Sequence, residues 1–325
     1  IQTVNRLVFH TEYNSEEILI REIVSISIAM TENEIFYFPF AHGEDLLSKE
    51  NNLPKDLLLK LLNCFWSDSK KTIITSHSKR DFSYALSNNI EFNAYVLDLV
   101  QLHYVVDPSS SHKIEKLLNL YLNIEVDDRP KDALFLNSYS AQDAAGIVSN
   151  LVAGQVILAE SLEKQIQENS LSDIYEKIDL PLLKILNMVE GHGVLINVNY
   201  LKELEIDFEE ELLEIENKII EITGETINLR SPKQVGTLLF ETLGLPVIKK
   251  TKTGFSTDSS VLEELLLMGE SDIPGKILRY RELDKLQSTY VKVLPKLINE
   301  KSGRIHTNFS LHTAATGRLS STHPN

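Results

Sequence analysis

The chain has one cysteine and one tryptophan in 325 residues, and no run of 18 apolar residues. The lone Cys64 excludes an intramolecular disulfide and fits a reducing compartment. It sits in the apolar stretch Leu61-Leu62-Asn63-Cys64-Phe65-Trp66 and reads as a small buried hydrophobe. The missing apolar run argues against a membrane span. The opening residues Ile1-Gln2-Thr3-Val4-Asn5-Arg6 carry neither an initiating Met nor a signal peptide, so the chain reads as cut at its N-terminus. It stops within a motif at Asn325, which reads as a second cut. Basic residues are also scarce. There are 32 Lys+Arg against 47 Asp+Glu, a net charge of −15, which argues against a nucleic-acid binder. The distribution says otherwise. Residues 225–325 hold 14 Lys+Arg and 10 Asp+Glu, a balance of 14 − 10 = +4, and residues 1–224 hold 18 and 37, a balance of −19. What the chain does have is apolar content of 42%, enough for two or three cored domains.

Alternation and β-branched residues predict strands over 6–12, 22–30, 34–40 and 71–76. Helical spacing predicts helices over 54–66, 79–86, 98–106, 113–122 and 138–168. Strands first and helices after suggest a small α/β domain of about 165 residues. A polar stretch, Glu168-Asn169-Ser170-Leu171-Ser172-Asp173, marks a boundary. A helix follows from Ile178 to Glu190, stopped at Gly191-His192-Gly193. Its Leu182, Leu183, Ile185, Leu186 and Val189 read as a core-facing stripe. A long acidic helix is predicted from Tyr200 to Ile222, and shorter helices follow to Leu297.

Three carboxylates sit where the first domain could gather them. Glu12 ends the first strand, Asp81 follows the fourth, and Asp143 opens the long helix with Tyr139 four residues before it. Carboxylates from separate elements can hold two Mg²⁺ ions for phosphodiester hydrolysis, although each alone reads more simply as a solvated charge. Near the end, Gly317 allows close backbone approach and Arg318 offers a fork of donors. Ser320 and Ser321 can bond phosphate or sugar oxygens. Arg281 and Lys285 are four apart on a predicted helix and could track one strand of a duplex.

Five ordered blocks carry a family resemblance: NLRSPKQ from Asn228, KKTKTG from Lys249, YRELDKLQSTY from Tyr280, HTNF from His306 and TGRLSS from Thr316. Together they resemble the thumb and first palm strand of family A DNA polymerases, the bacterial DNA polymerase I type. More loosely, His10-Thr11-Glu12, Lys79-Arg80-Asp81 and Tyr139-Ser140-Ala141-Gln142-Asp143 resemble the three motifs of that family's proofreading exonuclease. The resemblance implies an α/β RNase H-like exonuclease domain over 1–168, a mainly helical thumb over 169–300 and the start of the palm over 301–325. It implies metal ligands at Glu12, Asp81 and Asp143, with His10 in place of the family's bridging aspartate, and Tyr139 as the residue that orients the attacking water. A neutral imidazole is a poor bridge between two Mg²⁺ ions, so the exonuclease reads as weak or inactive; Mn²⁺ is the softer alternative. His77 stands where the family often has asparagine, Ser310-Leu311 where it has Asn-Gln, and Ala314 where it has threonine.

The implied partner is primer–template DNA, bound by Asn228, Ser231, Lys233, Lys249, Lys250, Lys252, Thr253, Arg281, Lys285, Ser288, Thr289, Arg318 and Ser320. The implied setting is replication and repair, by a cytoplasmic, nucleoid-associated monomer with no membrane partner. Mg²⁺ would serve the parent polymerase. Its catalytic carboxylates and fingers helix have no counterpart in these residues, so this chain alone is not expected to polymerise. Two other readings are an active metal-dependent 3′–5′ exonuclease and a non-enzymatic duplex-binding module.

Overall fold

The computed structural model describes residues 4–15, 21–42, 52–126, 136–251 and 254–325. The chain divides into two compact units, residues 1–193 with 306–325, and residues 194–305. The units therefore divide after Gly193 and after Ile305.

The first unit is built on a five-stranded sheet. Strands β1 (Arg6–Tyr13), β2 (Ile23–Thr31) and β3 (Glu34–Pro39) form an antiparallel meander. Strands β4 (Thr72–Thr75) and β5 (Tyr95–Asp98) join β1 in parallel, giving the order β3-β2-β1-β4-β5. Side chains alternate across a sheet, and both faces are covered here. On one face Leu7, Phe9, Ile26 and Ile28 pack with Leu62, Phe65 and Trp66 of α1 (Lys55–Trp66). On the other, Val8, Ala29 and Ile74 pack under α3 (Leu99–Val106), α4 (Ile114–Leu122) and α5 (Ala141–Glu168). Helix α5 is long and apolar enough to cross a membrane by length and composition. Its Val148, Leu151, Val152, Leu158 and Leu162 lie in the core, however, so it is a core helix here. It starts sharply because Ser140 Oγ accepts the Asp143 N–H at 3.1 Å and donates to Asp143 Oδ2 at 2.7 Å, a reciprocal cap.

Helix α2 (Ser78–Ser87) follows β4. A turn at Ser172–Ile174 and a π-helical segment Tyr175–Asp179 lead into α6 (Leu180–His192), which ends at Gly193 with φ +68°. The expected stripe on α6 is corrected in part. Leu183 and Leu186 are buried with Phe82, Val96 and Leu311, but Ile185 and Val189 are about half exposed. The buried face continues instead through the polar Asn187 and Glu190. A stripe sought among apolar residues alone was therefore rotated away from the true one. Residues 306–325 add a hairpin, β8 (Asn308–Ser310) with β9 (Ser320–Thr322).

The second unit is helical. Helix α7 (Val198–Thr223) is capped by Asn197 and ends at Gly224, φ +72°. A short helix α8 (Pro232–Gly236), α9 (Ser259–Met268) and α10 (Ile273–Leu286) pack with it around Ile219, Leu239, Leu262, Ile277 and Leu283. A small hairpin is formed by β6 (Lys250–Thr251) and β7 (Gly254–Phe255). The unit's two ends meet in an antiparallel bridge: the Val194 N–H donates to the Ile305 carbonyl at 2.8 Å, and the Ile305 N–H donates to Val194 at 2.9 Å.

Candidate functional site

The residues of the implied exonuclease site do not assemble. Alternation along β1 puts His10 and Glu12 on the α5 face, and Thr11 and Tyr13 on the α1 face. His10 Nε2 lies 2.9 Å from Glu12 Oε1, and Gln155 Nε2 of α5 lies 3.3 Å from His10 Nδ1. Glu12 thus receives the Nε2 proton while Gln155 donates to Nδ1, which leaves the buried Gln155 Oε1 without a hydrogen bond. Asp81 engages the opposite face. It accepts hydroxyl protons from Thr11, from Tyr13 at 2.8 Å and from Thr75 at 3.1 Å. Asp81 is fully buried, and desolvation pushes its pKa up to about 6 against the pull of those three hydroxyls.

Asp143 is exposed and occupied as the cap partner of Ser140. It lies twelve residues before Gln155 on the same helix, or roughly 18 Å along the axis at 1.5 Å per residue. Tyr139 packs against the core beneath α5, and its carbonyl accepts from His42 Nδ1 at 3.2 Å. Among the described residues no group of three or more His, Cys, Asp or Glu side chains is arranged to hold a metal ion. The expected set of His10, Glu12, Asp81 and Asp143 is not gathered as such a group. Asp81 is engaged by hydroxyls on the α1 face, and Asp143 by Ser140 at the start of α5.

Sequence reading missed what Lys79 does. Its Nζ lies 2.5 Å from Glu190 Oε1 of α6, and it also donates to Asn308 Oδ1 and the Phe309 carbonyl of β8. Nothing in the local sequence couples position 79 to 190 or 309. A second missed cluster joins His103 and the loop residue His112, whose Nδ1 atoms are 2.9 Å apart, with the His312 ring 6.0 Å from that of His112.

The expected DNA-contacting residues of the second unit fall into three groups. Lys233, Lys250, Lys285, Ser288 and Thr289 are exposed, and the three lysines enter no ion pair among the described residues. Others are occupied. Ser231 caps α8, the Asn228 carboxamide accepts the Arg230 N–H, and Lys249 lies 3.8 Å from Asp258. Arg281 is half-buried and donates to the Thr257 carbonyl and hydroxyl, so it does not share an open face with Lys285. Lys252 and Thr253 lie outside the described residues. In the first unit, Gly317 takes φ +76° and Arg318 is exposed, whereas Ser320 Oγ is buried without a partner and so unavailable to a backbone phosphate. Leu311, where the family has glutamine, is a core residue.

Residues 198–325 match the family model described as DNA polymerase family A. Over 97% of its length the chain is 36% identical to the DNA polymerase I of Synechocystis sp., and over its full length 31% identical to that of Pseudomonas aeruginosa. The chain belongs to DNA polymerase family A. It spans about a third of each of these relatives, 32% and 36%. The same fold occurs in a solved structure described as the POL domain of Pol1 from M. smegmatis in complex with DNA primer-template and dNTP. The TM-score is 0.80 at 23% identity, covering all of this family A chain and 52% of that one.

Proposed function

We propose that this chain is the part of a family A DNA polymerase that holds primer–template duplex DNA during replication and repair. In this reading the sheet with α1–α5 is an RNase H-like, exonuclease-type layer without working metal chemistry. The helical second unit is the thumb, and the hairpin around Arg318 is the start of the palm. Mg²⁺ would serve the polymerase centre of the parent protein, a cytoplasmic monomer. The observation that carries the proposal is the uncommitted cation set Lys233, Lys250 and Lys285, exposed within residues 225–325, whose balance is 14 − 10 = +4. The relatives named DNA polymerase I support it.

Duplex affinity measured by fluorescence anisotropy should fall steeply between about 50 and 300 mM salt, as counterion release requires. Lys285→Ala should weaken every duplex alike and lower the salt slope by about one. Binding that ignores salt, or that maps to residues 1–150, would refute the reading. On single-stranded DNA with Mg²⁺ the chain should show no 3′–5′ digestion, and His10→Asp alone should not restore it, because Asp81 still faces the other side of the sheet. Robust digestion abolished by Asp143→Ala would support an active exonuclease instead.

A further inference from the structure

Lys79 belongs to the stretch that resembles an exonuclease motif, yet all three of its ammonium protons are directed away from any metal chemistry. One goes to Glu190, 2.5 Å away, one to Asn308 Oδ1 at 2.6 Å, and one to the carbonyl of Phe309. Glu190 is 2% exposed. Its carboxylate accepts the Phe309 N–H, and its own carbonyl accepts from His306 Nδ1 at 2.7 Å. In an antiparallel strand the N–H and C=O of one residue point to the same side. At Phe309 both point to the charged pair, which closes the outer edge of β8 as a neighbouring strand would.

The rest of the hairpin is fixed in sequence. Leu311 is buried against Phe82, Leu183 and Leu186. The Ala314 carbonyl accepts from Tyr104 OH at 2.8 Å. Phe309 pairs with Ser321, and Ser310 with Ser320. Between these anchors residues 315–319 are exposed and carry Arg318.

We propose that the Lys79–Glu190 pair is a positioning device for Arg318, and that the exonuclease-type layer serves this chain as the scaffold of its palm hairpin. The role for DNA rests on the duplex-binding reading above; the lock itself does not.

The test uses the whole chain and two readouts. Amide hydrogen exchange across 308–322 reports the lock without DNA, and anisotropy with a primer–template duplex reports its use. Lys79→Met should speed exchange in the hairpin at least about tenfold more than in β1 and β4, because the hairpin gains a local opening beyond the unit's general loss of stability. It should weaken duplex binding by about tenfold through lost pre-organisation, and leave heparin binding unchanged. Lys79→Arg should restore most of both. If Lys79→Met misfolds, Lys79→Met with Glu190→Gln removes both charges and is read in the same way. Unchanged hairpin exchange, or exchange raised uniformly through the first unit, overturns the lock. A loosened hairpin with unaltered duplex affinity overturns the positioning role if Arg318→Ala does weaken binding. If Arg318→Ala changes nothing either, Arg318 does not touch the duplex and the positioning role is overturned, while the exchange result still supports the lock and the duplex reading stands or falls on Lys285→Ala and salt.

Discussion

The first unit takes charge and polarity inside: His10, Glu12, Asp81, Asp98 and Glu190 are each under 10% exposed. The second unit keeps its charges outside. Among its described residues the buried polar side chains are Ser256, Thr257 and Gln287. Its ion pairs, Arg230–Asp284, Arg279–Glu211 and Lys292–Glu209, lie largely in water. A charge out of water depends on each neighbour that replaces water, whereas an exposed pair gains little because the solvent screens it. The same kind of substitution should therefore be severe in one unit and mild in the other.

The largest expected effect is Lys79→Met, which leaves the Glu190 carboxylate buried alone and should cost the first unit about 3–5 kcal/mol. Trp66, the single tryptophan, is fully buried in that unit, so its fluorescence during urea unfolding reports the first unit selectively. A loss under about 1 kcal/mol would erase the contrast between the units.

Next come two pH effects of opposite sign. Burial, helped by repulsion from His103 and His312, lowers His112 from 6.5 to about 4. The neutral ring is favoured in the folded state, so its contribution is present above pH 6.5 and is lost as pH falls towards 4. At 1.36 kcal/mol per pH unit this amounts to about 3 kcal/mol. His112→Gln should flatten that acid limb of the Trp66-monitored stability; an unchanged limb would count against a buried neutral imidazole. Asp81 runs the other way. Its pKa rises from 3.8 to about 6, so the protonated form is favoured, and the contribution is complete below 3.8 and lost as pH rises through 6. Asp81→Asn should remove a loss of similar size, about 3 kcal/mol, between pH 4 and 7. Helix content of the second unit should show neither limb.

The smallest effect is Arg279→Met, which breaks the surface pairs with Glu211 and Glu282 and should cost at most about 0.5 kcal/mol at moderate salt. A loss of several kcal/mol, measured by exchange in α7 and α10, would show that the second unit also depends on its charges.

Elements with strong local periodicity were readable from sequence. Strands β1 to β4 and helices α1 to α5 lie within one or two residues of their predicted spans, except that α5 starts at Ala141. Strand β5 was missed. It has only four residues, and its parallel pairing with β4 leaves no local turn signal. The site was far less legible. Spacing in sequence identified Glu12, Asp81 and Asp143 as candidates, but which face of the sheet Asp81 would engage depends on how α2 leaves β4. Exposure of Lys233, Lys250 and Lys285 followed from composition. The capture of Arg281 by Thr257 did not, because that partner sits 24 residues away.

The bridge between Val194 and Ile305 brings the two ends of the helical unit within two backbone hydrogen bonds of each other. In terms of chain architecture this unit is an insertion into the first, since the segments before Val194 and after Ile305 belong to one compact body. Adjacent ends are the condition under which a domain can be excised or permuted without stretching its host. A chain with Gly193 joined to His306 through a short glycine linker should keep the sheet, α6 and the hairpin, and residues 194–305 should fold alone with new ends at the bridge.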